Sequence, residues 1–312
     1  MFIHIGYPKT ANSFLQRYIF PHHPEIEYWN CYRPRYAWLT DIVTLHDFDF
    51  DANEIRLKAE SLSSTAKVQL IPWERLSGNP YTGARDSRII ADRLHAVFPE
   101  AKIIISIRHQ LNMIDSLYRQ YIHQGGSCSF DRFLNLPLEN TVYFSLNYLC
   151  YDRIVHYYRQ LFGTRSVFVC LYESFNSSPH DFLGQLFSFM SVKEKCFHNK
   201  LFMKRANQGM SSLSISIARI FNRFIYSASF NPNPIISVRI INSLFFRRFL
   251  LQRYLDPLLF NRISGQRSFI SKEMRVELND YFRSSNRSLL NMVDLPLKEY
   301  DYPLYKEGQL LA

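Results

Sequence analysis

The sequence predicts an α/β fold: a three-layer sandwich with a central, mostly parallel sheet and helices on both faces. Three observations predict it. Short β-prone runs are apolar nearly throughout, as in Ile103-Ile104-Ile105-Ser106-Ile107, and strands buried on both faces read this way. Segments of helical period alternate with those runs, the order that parallel strands and their crossovers produce. A chain of 312 residues is long enough for one large α/β domain with a helical extension.

Residues 2–5 are the first apolar, β-prone run and the first strand. Gly6 and Pro8 break the chain, and Lys9 and Thr10 stand in the turn. From Asn12 the period is helical, through Phe14, Leu15, Tyr18 and Ile19, until Pro21-His22-His23-Pro24 ends the element in a solvated turn. Residues 25–50 read as an irregular aromatic stretch in which His46 lies among acidic residues. A cap at 51–54 starts a helix over 55–62, and 68–73 is the next strand. An amphipathic helix over 87–98 leads into the strand 103–107, and a helix over 112–122 follows it. A Tyr-rich helix over 145–161 stops at Gly163, 166–172 is a buried strand, and 179–190 is helical. Residues 211–262 are helical in period, with Arg239, Arg247, Arg248 and Arg253 among apolar residues. They read as amphipathic helices on the sheet, or as a basic wall for an acceptor or an anionic lipid surface. A last helix spans 272–290.

The net charge of +10, from 37 Lys+Arg against 27 Asp+Glu, points to an anionic partner. Nucleic acid is disfavoured, because no run of five basic residues and no zinc-finger or aromatic RNA-binding signature occurs. A nucleotide with several phosphates fits better. The five cysteines, at positions 31, 128, 150, 170 and 196, have no metal-ligand spacing and read as reduced, buried thiols. No apolar stretch reaches the about 18 residues of a membrane span, and no signal peptide precedes the first strand. The expected location is the cytoplasm, with 211–262 the segment suited to peripheral contact with a membrane.

A strand, a tight loop carrying a lysine and hydroxyls, and a helix N-terminus together suit an anion. The first N–H groups of the helix are unpaired; Lys9 adds a point charge, and Thr10 and Ser13 add donors. It is not a Walker loop, because Pro8 stands where glycine would precede the lysine. Pro8-Lys9-Thr10-Ala11-Asn12-Ser13 resembles instead the 5′-phosphosulfate loop of sulfotransferases that use 3′-phosphoadenosine-5′-phosphosulfate (PAPS). Those loops read Pro-Lys-Thr-Gly-Thr-Thr or, in the polysaccharide-modifying branch, Pro-Lys-Thr-Ala-Ser-Thr. The departure is Asn12, which can still donate to an oxyanion and cap a helix.

A second constellation is Arg108, at the end of the strand 103–107, with Ser116 in the helix beyond. Arginine offers a planar fork for a phosphate. Sulfotransferases carry the same arrangement as their 3′-phosphate site, after the lysine loop. Softer matches are Leu171-Tyr172-Glu173, a mainly structural segment of the family, and the Tyr300-Asp301-Tyr302-Pro303 ending, similar to bacterial members. Lys204 and Arg205, before Gly209, are a loose candidate for the basic loop that closes on the 3′-phosphate.

The resemblance covers most of the chain and is weakest over 211–262. It implies a P-loop-like fold and a single sulfotransferase domain: a PAPS-binding core over 1–210, a helical insertion or acceptor-side segment over 211–262, and a C-terminal helix and tail over 263–312. Pro8, Lys9, Thr10, Ala11, Asn12, Ser13 and Phe14 would then hold the 5′-phosphosulfate, with Lys9 stabilising the leaving group. The products would be 3′-phosphoadenosine-5′-phosphate (PAP) and a sulfated acceptor, a carbohydrate or glycoconjugate by the Lys-Thr-Ala loop, and no metal would be needed.

The acceptor's proton requires a base. Glu74 is the first candidate: it follows the strand 68–73 at the ligand edge of the sheet, where relatives place a catalytic His, Glu or Lys. Its neighbour Arg75 offers the alternative of an ion pair. His46 is the second candidate, and His22-His23 the third. The runner-up activity is a nucleotide kinase-like phosphotransferase, weakened by the absent Gly-Lys pair. A non-enzymatic membrane or nucleic-acid binder would explain the charge but leave Lys9 and Arg108 idle.

Overall fold

The computed structural model describes residues 1–62, 67–136, 143–203, 210–224, 226–227, 230, 256 and 267–305. Five strands form one sheet in the order β2-β3-β1-β4-β5: β1 Phe2–His4, β2 Ile26–Tyr28, β3 Val68–Pro72, β4 Lys102–Ile107 and β5 Val167–Leu171. Every pairing is parallel. β1 is central, with Phe2 opposite Leu70 on one side and Lys102 on the other.

Around the sheet lie α1 (Asn12–Phe14), continued by a π-helical stretch over Leu15–Ile19, α2 (Asp41–Thr44), α3 (Ala52–Leu62) and α4 (Ser87–Val97). They are followed by α5 (Gln110–His123), α6 (Phe130–Leu134), α7 (Tyr151–Phe162), α8 (Tyr172–Ser177) and α9 (Pro179–Met190). The last described helices are α10 (Asn199–Phe202), α11 (Ser212–Phe221) and α12 (Lys272–Met292).

The period of two along each strand sends alternate residues to opposite faces. Ile3, Ile71, Ile103, Ile105, Ile107 and Val169 join one apolar cluster with the inner sides of α4 and α7. Phe2, Leu70, Ile104 and Cys170 join a second, with Phe14, Leu15 and Ile19 and with Phe182, Leu186 and Phe187 of α9. The molecule is therefore the three-layer α/β sandwich that the apolar runs predict.

Some details differ. Residues 25–50 contain a strand, β2, at the sheet edge. Only Ile26 of its three residues is fully buried, so it carries no apolar run. The helix expected over 145–161 is split: Leu146–Leu149 is a 3-10 turn, and the α-helix starts at Tyr151. The cysteines are not uniformly buried; Cys128 is half-buried and Cys196 exposed. The turn at His22-His23 is not wholly solvated, because His23 is buried against Phe187, with ring centroids 4.8 Å apart, and its Nε2 meets the Lys193 carbonyl at 3.0 Å. Of the segment 211–262, α11 is described, while Arg239, Arg247, Arg248 and Arg253 lie outside the described residues. Among the described residues, no helix is long and apolar enough to cross a membrane.

Candidate active site

Strands of a parallel sheet all end on one edge, so the turns after β1, β3, β4 and β5 meet there. The turn after β1 is the tightest. Lys9 and Ala11 both have left-handed backbones, with φ of 66° and 64°, conformations that cost a residue with a Cβ about 1–2 kcal/mol. Alternation of this kind turns successive N–H groups toward one side, the concavity known to hold anions. Thr10 and Asn12 are buried and point into the loop. Thr10 Oγ1 donates to the Tyr7 carbonyl at 2.6 Å, and Asn12 Nδ2 donates to the carbonyls of Tyr7 at 2.8 Å and Gly6 at 3.2 Å. Their donors thus brace the loop from within. Asn12 does not cap the helix, since Ala11 is the N-cap and no side chain bonds there.

The Phe14 N–H donates to the Ala11 carbonyl at 2.9 Å, and its ring packs against Phe175, with centroids 5.5 Å apart. Pro8 is buried, and Lys9 and the Ser13 side chain are exposed. A close backbone approach fixes Gly6: a Cβ there would lie 2.6 Å from His4 Nε2 and 2.8 Å from Asn12 Oδ1.

Arg108 arrives from β4, next to β1. Its Nη1 donates to the Lys9 carbonyl at 3.2 Å, and its guanidinium carbon lies 4.6 Å from the centroid of the Tyr172 ring. Its Nε is buried without a hydrogen-bond partner among the described residues. Glu74 arrives from β3, on the other side of β1. Arg75 is paired with Asp86, and the half-buried Glu74 carboxylate has no hydrogen bond or ion pair among the described residues. Protein atoms crowd the Lys9 ammonium even though the residue opens to solvent. That desolvation lowers its pKa from the ordinary lysine value; Glu74 opposes the shift and Arg108 adds to it. The structure therefore gathers Lys9, Glu74 and Arg108 on one edge.

Ser116 lies about two turns into α5 and is half-buried. His46 is exposed, and its Nδ1 accepts from the Phe48 N–H at 3.3 Å. The loop that carries it docks on α4, where Arg93 binds the Leu45 carbonyl at 2.9 Å and Asp47 at 2.7 Å. Lys204 and Arg205 lie outside the described residues.

A supporting layer escapes sequence reasoning. Tyr7 donates to the Tyr148 carbonyl at 2.9 Å, and the Tyr148 hydroxyl meets Ser77 Oγ at 2.9 Å. Tyr151 donates to the Arg108 carbonyl at 2.6 Å. Glu173 receives the His109 N–H at 3.0 Å on one oxygen and the Tyr302 hydroxyl at 2.9 Å on the other. His109 Nε2 also meets the Asp301 carbonyl at 3.0 Å, so the C-terminal Tyr-Asp-Tyr clasps the turn that presents Arg108. Burial of these groups raises the pKa of Tyr7, Tyr151 and Tyr302 and lowers that of His109, keeping all four neutral and hydrogen-bonding. The sequence signals for this layer are the pair Tyr172-Glu173 following a buried strand and the Tyr300-Asp301-Tyr302-Pro303 ending.

No protein-family model matches the chain, and no curated protein does. Among solved structures the chain is similar to a sulfotransferase from Alicyclobacillus acidocaldarius, at 19% identity and a TM-score of 0.47, over 64% of this chain and 87% of that one. It is also similar to mouse sulfotransferase SULT7A1 complexed with PAP, at 17% identity and a TM-score of 0.47, over 96% of this chain and 88% of that one. A third similar structure is the sulfotransferase domain of a Synechococcus olefin synthase, at 12% identity and a TM-score of 0.38, over 73% of this chain and 88% of that one.

Proposed function

We propose that the protein is a sulfotransferase that moves the sulfuryl group of PAPS to a hydroxyl or amine, on a carbohydrate or glycoconjugate. The observation that carries the reading is the convergence of two cationic residues that follow adjacent strands. Arg108 reaches the Lys9 carbonyl at 3.2 Å, and its buried Nε is left without a partner among the described residues. A buried guanidinium N–H without an acceptor is costly, and an anionic oxygen would satisfy it. The N–H groups of residues 10–13, with the Ser13 hydroxyl, would hold the 5′-phosphate, and Arg108 and Ser116 the 3′-phosphate.

In the reaction the acceptor oxygen or nitrogen bonds to sulfur as the bond from sulfur to the bridging oxygen breaks. Lys9 neutralises the charge that collects on that oxygen. Glu74, unpaired beside Lys9, takes the acceptor's proton. Fixed groups on strand ends keep these partners aligned, and alignment is most of what such a transfer needs.

Calorimetric titration of the full chain with PAP, adenosine 5′-phosphosulfate and ATP tests the reading. PAP should bind more tightly than either compound lacking the 3′-phosphate, and labelled PAPS should transfer its label to a member of a glycan panel. Preference for ATP would replace the reading with phosphoryl transfer. Binding of none of the three would remove it.

A further inference from the structure

Beyond the end of α5, a cleft of about 360 Å³ is lined by Ser127, Cys128, Ser129, Arg132, Arg219 and Arg223. None of the residues at the sheet edge lines it. Three arginines line this small space, yet none of their side chains forms an ion pair or a hydrogen bond among the described residues. Asp131, beside Arg132 in sequence, is exposed and pairs with none of them.

The walls are fixed while the charged heads are free. Tyr118 donates to the Cys128 carbonyl at 3.0 Å, and the Cys128 N–H reaches Tyr121 Oη at 3.4 Å, which pins the loop floor. Ser129 caps α6 by accepting the Arg132 N–H. Asn222, fully buried, donates to the carbonyls of Ile122 and Gly126, both at 2.7 Å, and so ties the end of α11 to the same loop. Arg219, in the last turn of α11, and Arg223, just beyond its C-cap, flank that tie in sequence. Like charges held this way repel one another, and the arrangement is relieved by an anion that accepts from several forks at once.

We infer that this cleft is a second oxyanion site, taking a phosphate or sulfate monoester carried on a soluble ligand. Arg132, Arg219 and Arg223 would supply paired N–H donors, and the Ser127 hydroxyl a further one. A tetrahedral ester fits better than a carboxylate, because its three terminal oxygens can each meet one arginine. The site stands on its own residues and does not require the Lys9 reading.

The test is calorimetric titration of the full chain with glucose 6-sulfate and glucose 6-phosphate, with inorganic phosphate, and with glucose as a control. Both esters should saturate one site and glucose should not bind. Inorganic phosphate should compete with the esters. Arg219→Gln and Arg223→Gln should each weaken ester binding by about tenfold, the worth of one charge-assisted contact, with the melting temperature unchanged because both side chains reach solvent. Ester binding that survives in both variants overturns the site, as does saturation by vesicles of phosphatidic acid in phosphatidylcholine but by neither ester. PAP titrated in parallel separates the two sites. Loss of PAP binding in Lys9→Ala with ester binding retained supports two sites, and wild-type chain that binds ester but not PAP removes the sulfotransferase reading alone.

Discussion

Glu74 and Arg75 are neighbours with opposite attachments: the arginine is committed to Asp86, and the carboxylate is left free beside Lys9. Glu74→Gln keeps size and shape and removes basicity. Single-turnover sulfation should fall by about 10²–10⁴-fold, the worth of a positioned base, with PAP affinity nearly unchanged. His46→Ala, on a loop docked to α4, should leave the rate near normal; collapse there with a normal Gln variant would move the base to His46. Lys9→Ala should cost about 10²–10³-fold in turnover, and near-normal sulfation would end the assignment. His4 offers a test of stability instead. It is fully buried, its Nε2 lies 2.7 Å from Ser106 Oγ, and burial lowers its pKa from 6.5 to about 4. Between those values the unfolded chain takes up a proton that the folded chain refuses, so stability falls as pH drops through that window, by about 3 kcal/mol in full. Urea midpoints at several pH values should show His4→Gln losing less than wild type; equal losses would place the acid sensitivity elsewhere.

The loop between β1 and α1 holds two left-handed residues with a Cβ, Lys9 and Ala11. Ala11→Gly should therefore be neutral or stabilising by up to about 1 kcal/mol, whereas Asn12→Ala should cost about 1–3 kcal/mol by stranding the carbonyls it holds. Denaturant unfolding of both variants checks the pair, and a destabilised Ala11→Gly would contradict the strain. Elements of this size differ in how far the sequence reveals them. Strand β4 is legible because five of its six residues are buried, and burial on both faces demands an apolar run. Strand β2 is not, because it is short and on the edge, and its order comes from pairing with β3. The placement of Lys9 and Arg108 is legible, because residues that follow the buried strands of a parallel sheet fall at the sheet edge. The inward turn of Thr10 and Asn12 is hidden, because the sequence does not fix which way a small polar side chain points in a tight loop. The clasp of Tyr302 and Glu173 is hidden for another reason: it joins residues separated by 129 positions.

At the scale of the molecule, the +10 charge should draw polyanions from solution. PAP affinity measured between about 0.05 and 0.3 M salt should weaken several-fold as screening shortens the reach of the surface charges. A salt-independent affinity would confine recognition to buried contacts. The strand order has a different consequence, one of timing. The central strand β1 pairs with β4, Phe2 opposite Lys102, and Arg108 meets the Lys9 carbonyl across 99 positions. Such pairings close long loops before they return any contact energy, which slows folding. During synthesis the lysine loop must therefore wait, unpaired, until β3, β4 and the turn bearing Arg108 have emerged. A nascent chain halted before β4 should have no grip on a nucleotide, and the site should assemble late and in one step.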